Sequence, residues 1–368
     1  MSTTKIGIIG CGNVAGVYIE VCGRFDILQV AACSDIIPER AKSVAEQYGV
    51  PKACSTEELL ADPEIGIVVN LTVPRVHAEI ALQALEAGKS VFNEKPFALN
   101  REEAGRILAA ARDRGLGVGC APDTFLGGGL QTCRKLIDDG VIGRPVAAGG
   151  FMLDRGPEGW HPNPEFFYKA GGGPLFDRAP YHLNALVTLL GPVSRVAGSA
   201  KISFPQRLIT SRPKYGQVIE VEAPTHSAAL LEFESGATCT LTMSYEVWAS
   251  QVPHIEVYGS EGTLSVPDPN TFGGPVRLCL AGESDWREVP LTHGYAEGNN
   301  RGIGVADLAY ALRGGRAPRA GGELAYHVVD VMQRVHEAAE ARRYLQVDSR
   351  CERPAALPPG LTMRTWDA

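Results

Sequence analysis

No apolar run in the 368 residues approaches the ~20 needed to span a bilayer, and the N-terminus has neither the basic region nor the cleavage site of a signal peptide. A soluble, intracellular, cytoplasmic protein without a membrane partner is therefore expected. Positive charge is also in short supply. Thirty-five Lys and Arg against 42 Asp and Glu leave a net charge of −7, so no basic field draws in a nucleic-acid backbone, and no nucleic-acid partner is expected. Cysteine is present nine times but never as a CxxC pair, and the odd number argues against a disulfide framework or a thiolate zinc site. The eight histidines lack HxH and HExxH spacing, so no metal is expected. Aromatic residues make up only 7% while 45% of the chain is hydrophobic, which is enough aliphatic material for more than one core at ~100–200 residues per domain.

What is present alternates. Residues 5–10 (KIGIIG) form a short apolar strand, a helix-length stretch reaches Gly23, and a second strand, 27–33, ends at Asp35. Helices at 38–48, 75–87 and 101–114 then take turns with strands at 67–71, 89–92 and 116–120. Strand and helix periods alternating at these lengths predict right-handed crossovers and a doubly wound parallel sheet over residues 1–121. After Pro122 the pattern changes. A helix at 129–139 leads into strand-like segments at 145–153, 194–203, 226–234, 237–245, 254–258 and 263–266, two pairs of them joined by the turns Ser235-Gly236 and Gly259–Gly262. Residues 122–350 are thus expected to form an α+β domain with an open, mainly antiparallel sheet, closed by helices near 304–313 and 322–342, with 351–368 an extended tail. The overall class is α/β.

Gly10-Cys11-Gly12-Asn13-Val14-Ala15 has the G-x-G-x-x-G/A form, in which two glycines admit a pyrophosphate to the backbone and a small third residue lets helix pack on strand. Asp35 lies twenty positions after Ala15 at the end of the next strand, where a ribose 2′-hydroxyl acceptor belongs. Ile36 and Ile37 follow it, so a 2′-phosphate would meet a carboxylate with no compensating cation, and NAD is expected in preference to NADP. Glu94-Lys95-Pro96 follows a strand at the edge of the sheet where ligands bind. Lys95 there can act as acid or base if desolvation lowers its pKa, or stay charged and polarise a carbonyl or hydroxyl. Gly171–Gly173 lead through Asp177 to a helix expected over 180–190, placing a carboxylate, the Tyr181 phenol and the His182 imidazole close together. On its own this stretch also reads as a loop with Asp177 capping the helix. Trp160 and His161 could offer a stacking face and hydrogen-bonding groups to a sugar.

The glycine turn, Thr72-Val73-Pro74 before His77, Glu94-Lys95-Pro96, Leu136–Gly143 and the Gly171–Asp177 run together resemble the Gfo/Idh/MocA oxidoreductases, the glucose-fructose oxidoreductase and inositol dehydrogenase family, from about residue 4 to residue 345. The resemblance implies an NAD(P)-binding Rossmann domain, then a substrate-binding and oligomerisation domain, and a sugar or polyol bound between them. A homodimer or homotetramer is expected. It also implies that Gly10, Gly12, Asn13, Val14, Ala15, Asp35, Thr72, Pro74, His77, Glu94 and Lys95 serve the cofactor, that Trp160, His161, Lys95, Asp177 and Tyr181 meet substrate, and that the bond before Pro96 is cis. Lys95 matches the family lysine that contacts the reacting hydroxyl, and Asp177 the aspartate of its D-x-x-x-H pattern. This chain departs from that pattern: Tyr181 occupies the fourth position and His182 comes one late. Adjacent helical side chains diverge by about 100°, which favours Tyr181 over His182 as the acid/base partner. The expected activity is hydride transfer between NAD and a secondary alcohol or ketone of a sugar or polyol. Redox-neutral glycoside cleavage with retained NAD, a non-catalytic cofactor-binding regulator, and a scaffold subunit are the alternatives.

Overall fold

The computed structural model describes residues 3–363. Strands β1 (Thr4–Ile9), β2 (Leu28–Ser34), β3 (Lys52–Ala53), β4 (Ile65–Asn70), β5 (Ser90–Asn93) and β6 (Val118–Cys120) form one parallel sheet in the order β3-β2-β1-β4-β5-β6. That is the order of doubly wound dinucleotide folds. Because helices cover both faces of such a sheet, its strands are apolar throughout: Ile6, Ile8, Ile67, Val68, Val69, Val91 and Phe92 have no exposed surface. Fully burying one such aliphatic side chain is worth roughly 1.5–3 kcal/mol. The connecting helices are α1 (Ala15–Cys22), α2 (Pro38–Tyr48), α3 (Thr56–Ala61), α4 (His77–Glu86) and α5 (Arg101–Arg114). Their ends follow local chemistry. Pro38 starts α2, Ser55 and Glu58 form a capping box on α3, and the Asn100 side chain accepts from Glu103 N at the head of α5.

Helix α6 (Gly128–Asp138), β7 (Pro145–Leu153), α7 (Gly173–Leu190), β8 (Val193–Lys201), the small hairpin β9 (Gln206–Leu208) and β10 (Val218–Glu220), β11 (His226–Phe233), β12 (Thr238–Ser244), β13 (Ile255–Gly259), β14 (Gly262–Val266), β15 (Val276–Leu280) and β16 (Arg287–Val289) follow. Then come α8 (Ile303–Gly314), α9 (Gly322–Ala341) and β17 (Leu345–Gln346). Nine of these strands make the second sheet, ordered β16-β15-β14-β13-β7-β12-β11-β8-β17, in which β12 runs parallel to β7 and the other neighbours are antiparallel. Period-2 alternation puts Cys239, Leu241 and Met243 into the core and leaves Thr238 and Thr240 exposed. Helix α7 packs on the core side of β7, β11 and β12, and α9 on β8.

The sequence reading leaves out β3, α3, β9, β10 and β15 to β17, and two segments that it does include differ in the structure. Helix α7 begins at Gly173, seven residues before Pro180, so Asp177 stands inside the helix and caps nothing. A proline is a favoured first helical residue, and Pro180 reads as one, yet it sits in the helix interior without a backbone N–H to give Phe176 O. The 351–368 stretch, described to Met363, is extended as expected but docked. Leu357 is buried, its N–H reaches Gln131, and Arg353 donates to the Thr188 and Leu189 carbonyls at the end of α7. Residues 364–368 lie outside the described residues. Helices α8 and α9 return to the first sheet, where Cys120 N bonds Ala320 O and Arg101 reaches Asp330 and Glu337 of α9. Among the described residues no helix is long and apolar enough to cross a membrane.

Candidate active site

Strand β1 ends at Ile9 and the chain turns sharply. Gly10 has φ +102°, and a Cβ there would lie 2.7 Å from the Leu71 backbone, so only glycine fits. A Cβ on Gly12 would meet nothing within 4 Å, so the crevice in front of that residue is open to a ligand. Helix α1 starts just behind it, with Ala15 N turned back to Gly12 O at 3.1 Å, and Val14 at the N-cap brings no side-chain cap that would compete with an anion there. Asp35 stands across the turn, accepting from Cys11 N at 2.8 Å and Ile37 N at 2.9 Å. Ile36 is 95% exposed. These residues fit a pyrophosphate on the turn and a ribose hydroxyl on the carboxylate.

The next crossover is locked by buried amides. Asn70 donates to His77 O and to Asn93 Oδ1 while accepting from the Thr72 hydroxyl at 2.6 Å. His77 is itself buried, with Nδ1 2.7 Å from Pro96 O and Nε2 2.9 Å from Thr72 O. Burial pushes its pKa down despite those carbonyls. His77 thus ties the loop after β4, which includes Thr72 and Pro74, to the Glu94-Lys95-Pro96 turn. The Lys95–Pro96 peptide is cis. Glu94 turns inward, accepting from Tyr18 OH at 3.0 Å and Lys95 N at 2.7 Å.

Lys95 reaches from the edge of the first sheet to α7. Its Nζ lies 2.6 Å from Asp177 Oδ1 and 2.9 Å from Asp177 O. Burial opposes the charge on Lys95, but the neighbouring Asp177, Tyr181 and Glu94 outweigh it and hold the lysine above its ordinary pKa. Asp177 is pulled the opposite way. Burial would raise its pKa, but Lys95, Arg178 and the 3.0 Å hydrogen bond from Tyr245 OH keep it below its ordinary value. Of the two states open to Lys95 from sequence alone, the protonated one is therefore selected.

Tyr181, one turn after Asp177, faces this pair. Lys95 Nζ lies 5.5 Å from its ring centroid, and Arg301 Nη2 lies 3.5 Å from its hydroxyl. His182 points elsewhere. Its Nε2 donates to Phe151 O at 3.2 Å, its ring lies 6.4 Å from that of His254, and Nδ1 is buried without a hydrogen-bond partner among the described residues. Burial and then His254 lower its pKa to about 4, so it is neutral at neutral pH. Trp160 packs against His161 and Phe167, and His161 meets Phe166 and Phe167 edge to face, with Trp160 65% exposed.

Tyr245, Arg178 and Arg301 join the cluster without having been picked out in the sequence. Tyr245 looks like the last residue of a strand, and no local signal marks its hydroxyl. It is positioned by Arg207, whose guanidinium donates to Tyr245 O and Arg155 O, lies 2.9 Å from Glu246 Oε2, and has Nε 3.0 Å from Glu158 Oε1.

The parallel sheet followed by a second, mixed sheet recurs in known proteins. Residues 4–121 match the family described as "Oxidoreductase family, NAD-binding Rossmann fold", and residues 130–265 match the "GFO/IDH/MocA C-terminal domain". The chain is 32% identical to the 1,5-anhydro-D-fructose reductase of Ensifer adhaerens over 86% of its own length and 90% of that protein's. It is 29% identical to inositol 2-dehydrogenase 3 of Saccharopolyspora erythraea, over 78% and 80% of the two chains. A solved structure of levoglucosan dehydrogenase in complex with NADH and levoglucosan superposes with a TM-score of 0.82 at 21% identity, covering 95% of this chain and all of that one, and so shares the fold. With both halves of the architecture matched in order, the chain belongs to the GFO/IDH/MocA family of NAD-binding oxidoreductases.

Proposed function

We propose that the protein is a dehydrogenase or reductase that interconverts a secondary alcohol and a ketone on a sugar, polyol or related compound, with NAD as the redox partner. The observation that carries this reading is the Lys95–Asp177 pair, a charged lysine at the cofactor-facing sheet edge with Tyr181 beside it. The relatives named for inositol and 1,5-anhydrofructose support the same substrate class.

Gly10, Gly12, Asn13, Val14 and Ala15 hold the dinucleotide's pyrophosphate, Asp35 its ribose, and Thr72, Pro74, His77 and Glu94 shape the nicotinamide end. When bound, NAD supplies a two-electron hydride acceptor. Lys95 donates a hydrogen bond to the reacting oxygen and remains an ammonium, because Asp177 and its neighbours keep it protonated. Lys95 therefore polarises that oxygen, and the Tyr181 hydroxyl relays the proton, taking it from the substrate hydroxyl as it gives its own to solvent, with Arg301 next to it. Asp177 and Tyr245 fix the lysine's direction, so that the reacting carbon is presented in one pose. In the reductive direction Tyr181 returns the proton. His182 supports α7 against β7, and Trp160 and His161 belong to the rim.

The test is a panel of polyols, sugars and aminosugars with NAD, followed by NADH absorbance. Stoichiometric NADH formation is expected. Release of product from a glycoside at constant NAD would replace this reading with redox-neutral cleavage.

A further inference from the structure

If the chain is the sugar or polyol dehydrogenase proposed above, two guanidinium groups narrow its substrate class. The arginines that hold this fold together are matched by carboxylates: Arg207 with Glu158 and Glu246, Arg316 and Arg319 with Asp307, Arg101 with Asp330, Arg134 with Asp138. Two partly buried arginines at the Lys95 cluster depart from that habit. Arg178 makes no hydrogen bond and no ion pair among the described residues, although Asp177, Tyr245, Tyr181 and Asp154 surround it at longer range. The carboxylates nearest to it are already engaged, Asp177 by Lys95 and Tyr245 and Asp154 by Gly156 N. Among the described residues the Arg301 guanidinium hydrogen-bonds neutral groups, Asn270 Oδ1 at 2.8 Å, Asn299 Oδ1 at 3.0 Å and the Tyr181 hydroxyl. Asp123, the acidic charge beside it, turns Oδ2 to Gly302 N and Gly304 N.

The carboxylates around each guanidinium offset its desolvation only from longer range, and an anionic ligand would add the direct contact that a salt bridge supplies elsewhere in the fold. The guanidinium fork matches a carboxylate or phosphate in two parallel hydrogen bonds. Both arginines neighbour Tyr181. Arg178 precedes Tyr181 by three residues on α7 and so shares its face, and Arg301 reaches the Tyr181 hydroxyl from the loop before α8. We propose that Arg178 and Arg301 form an oxyanion clamp beside the reacting hydroxyl, so that the preferred substrate is a sugar or polyol bearing a carboxylate or phosphate group.

The test compares glucose, gluconate, glucuronate and glucose 6-phosphate as probes, with the NAD-loaded protein and its Arg178→Met and Arg301→Gln variants. At least one anionic probe should exceed glucose in kcat/KM by about tenfold or more, equivalent to about 1.4 kcal/mol. The preference should collapse in Arg178→Met through a higher KM, and Arg178→Gln gives the same comparison if the methionine variant does not fold. Preference for gluconate or glucuronate assigns a carboxylate, and preference for glucose 6-phosphate a phosphate. Equal or faster turnover of glucose, with a ratio unchanged by Arg178→Met, would overturn the clamp while leaving the dehydrogenase reading intact. Calorimetric titration of the NADH-bound protein with the same anions separates the two claims. Saturable binding lost in Arg178→Met, without oxidation of any sugar in the wider panel, would uphold the clamp and remove the dehydrogenase reading.

Discussion

The proposed nucleotide turn draws Gly10 to Ala15 and Asp35 from one strand–helix–strand unit and would work mostly through backbone atoms, whereas the Lys95 cluster brings Lys95, Asp177, Tyr181, Tyr245 and Arg301 from separate parts of the chain and would work through side chains. A backbone site tolerates many side-chain neighbours but no Cβ at Gly10. A side-chain site depends on each partner's direction, and one wrong neighbour can turn a charged lysine into a misplaced one. Damage to the two regions should therefore separate cleanly, in binding for the first and in turnover for the second.

The sharpest separation comes from Lys95→Met. Turnover should fall by roughly 10²–10⁴, the usual range for a positioned proton-transfer or polarising group, while the dissociation constant for NADH, read by fluorescence titration, stays nearly the same. A variant that keeps most of its turnover would make Glu94-Lys95-Pro96 a structural turn. Next is Tyr181→Phe against His182→Asn. The phenol faces Lys95 and the imidazole faces Phe151, so loss of the hydroxyl should slow single-turnover hydride transfer by about 10²-fold, more than loss of the imidazole does. The opposite order would transfer the acid/base role to His182.

On the nucleotide side the effect is smaller and changes selectivity rather than rate. Asp35→Ser combined with Ile36→Arg removes a carboxylate and adds a cation where a 2′-phosphate would lie. Since a hydrogen bond to a charged group is worth about 1.5–3 kcal/mol, the preference for NAD over NADP should narrow by ~10–100-fold. Tighter binding of NADPH than NADH by the unaltered protein would break the assignment of Asp35.

The last prediction concerns stability. His182 and His327 are buried and both held neutral, with pKa values lowered to about 4, first by burial in each case. His327 Nε2 accepts from Val193 N at 3.0 Å, which requires the unprotonated nitrogen. Above pH 6.5 neither the folded nor the unfolded imidazole binds a proton. Below it the unfolded chain takes one up while the folded protein resists until about pH 4, so stability is lost as pH falls through that window. Each histidine contributes on the order of 3 kcal/mol to the loss, with little effect on turnover at neutral pH. Denaturant titrations at pH 7, 5.5 and 4.5 should show the decline, and His327→Gln should flatten it. A slope unchanged by that substitution would assign the acid sensitivity to other groups.

The sequence was legible where structure is local. The glycine turn, Asp35, helix α2 at 38–48, helix α5 at 101–114 and strand β7 at 145–153 are set by periodicity, caps and breakers within a few residues, and they fall where those signals put them. Glu94-Lys95-Pro96 was legible as a strand-end motif, although whether Lys95 is charged depends on Asp177, 82 residues away. Helix α7 was read short because Pro180 gives the same signal at a helix start as in a helix interior, and only packing against β7, β11 and β12 distinguishes them. Tyr245, Arg178 and Arg301 gave no signal, since a tyrosine at a strand end and two arginines look like ordinary sheet and surface until the fold places them around one carboxylate and one phenol.

The sequence by itself thus determined the doubly wound sheet and the glycine turn at its first strand, because backbone conformation and strand–helix alternation are encoded over short spans. Tertiary structure decided which residues meet. It turned Tyr181 rather than His182 toward Lys95, held that lysine protonated against the cost of burial, hung Tyr245 on Arg207, and left Arg178 without an ion pair among the described residues. Charge and hydrogen bonding act over a few ångströms in space, and chain segments that close such distances from far apart in sequence leave no local trace of it.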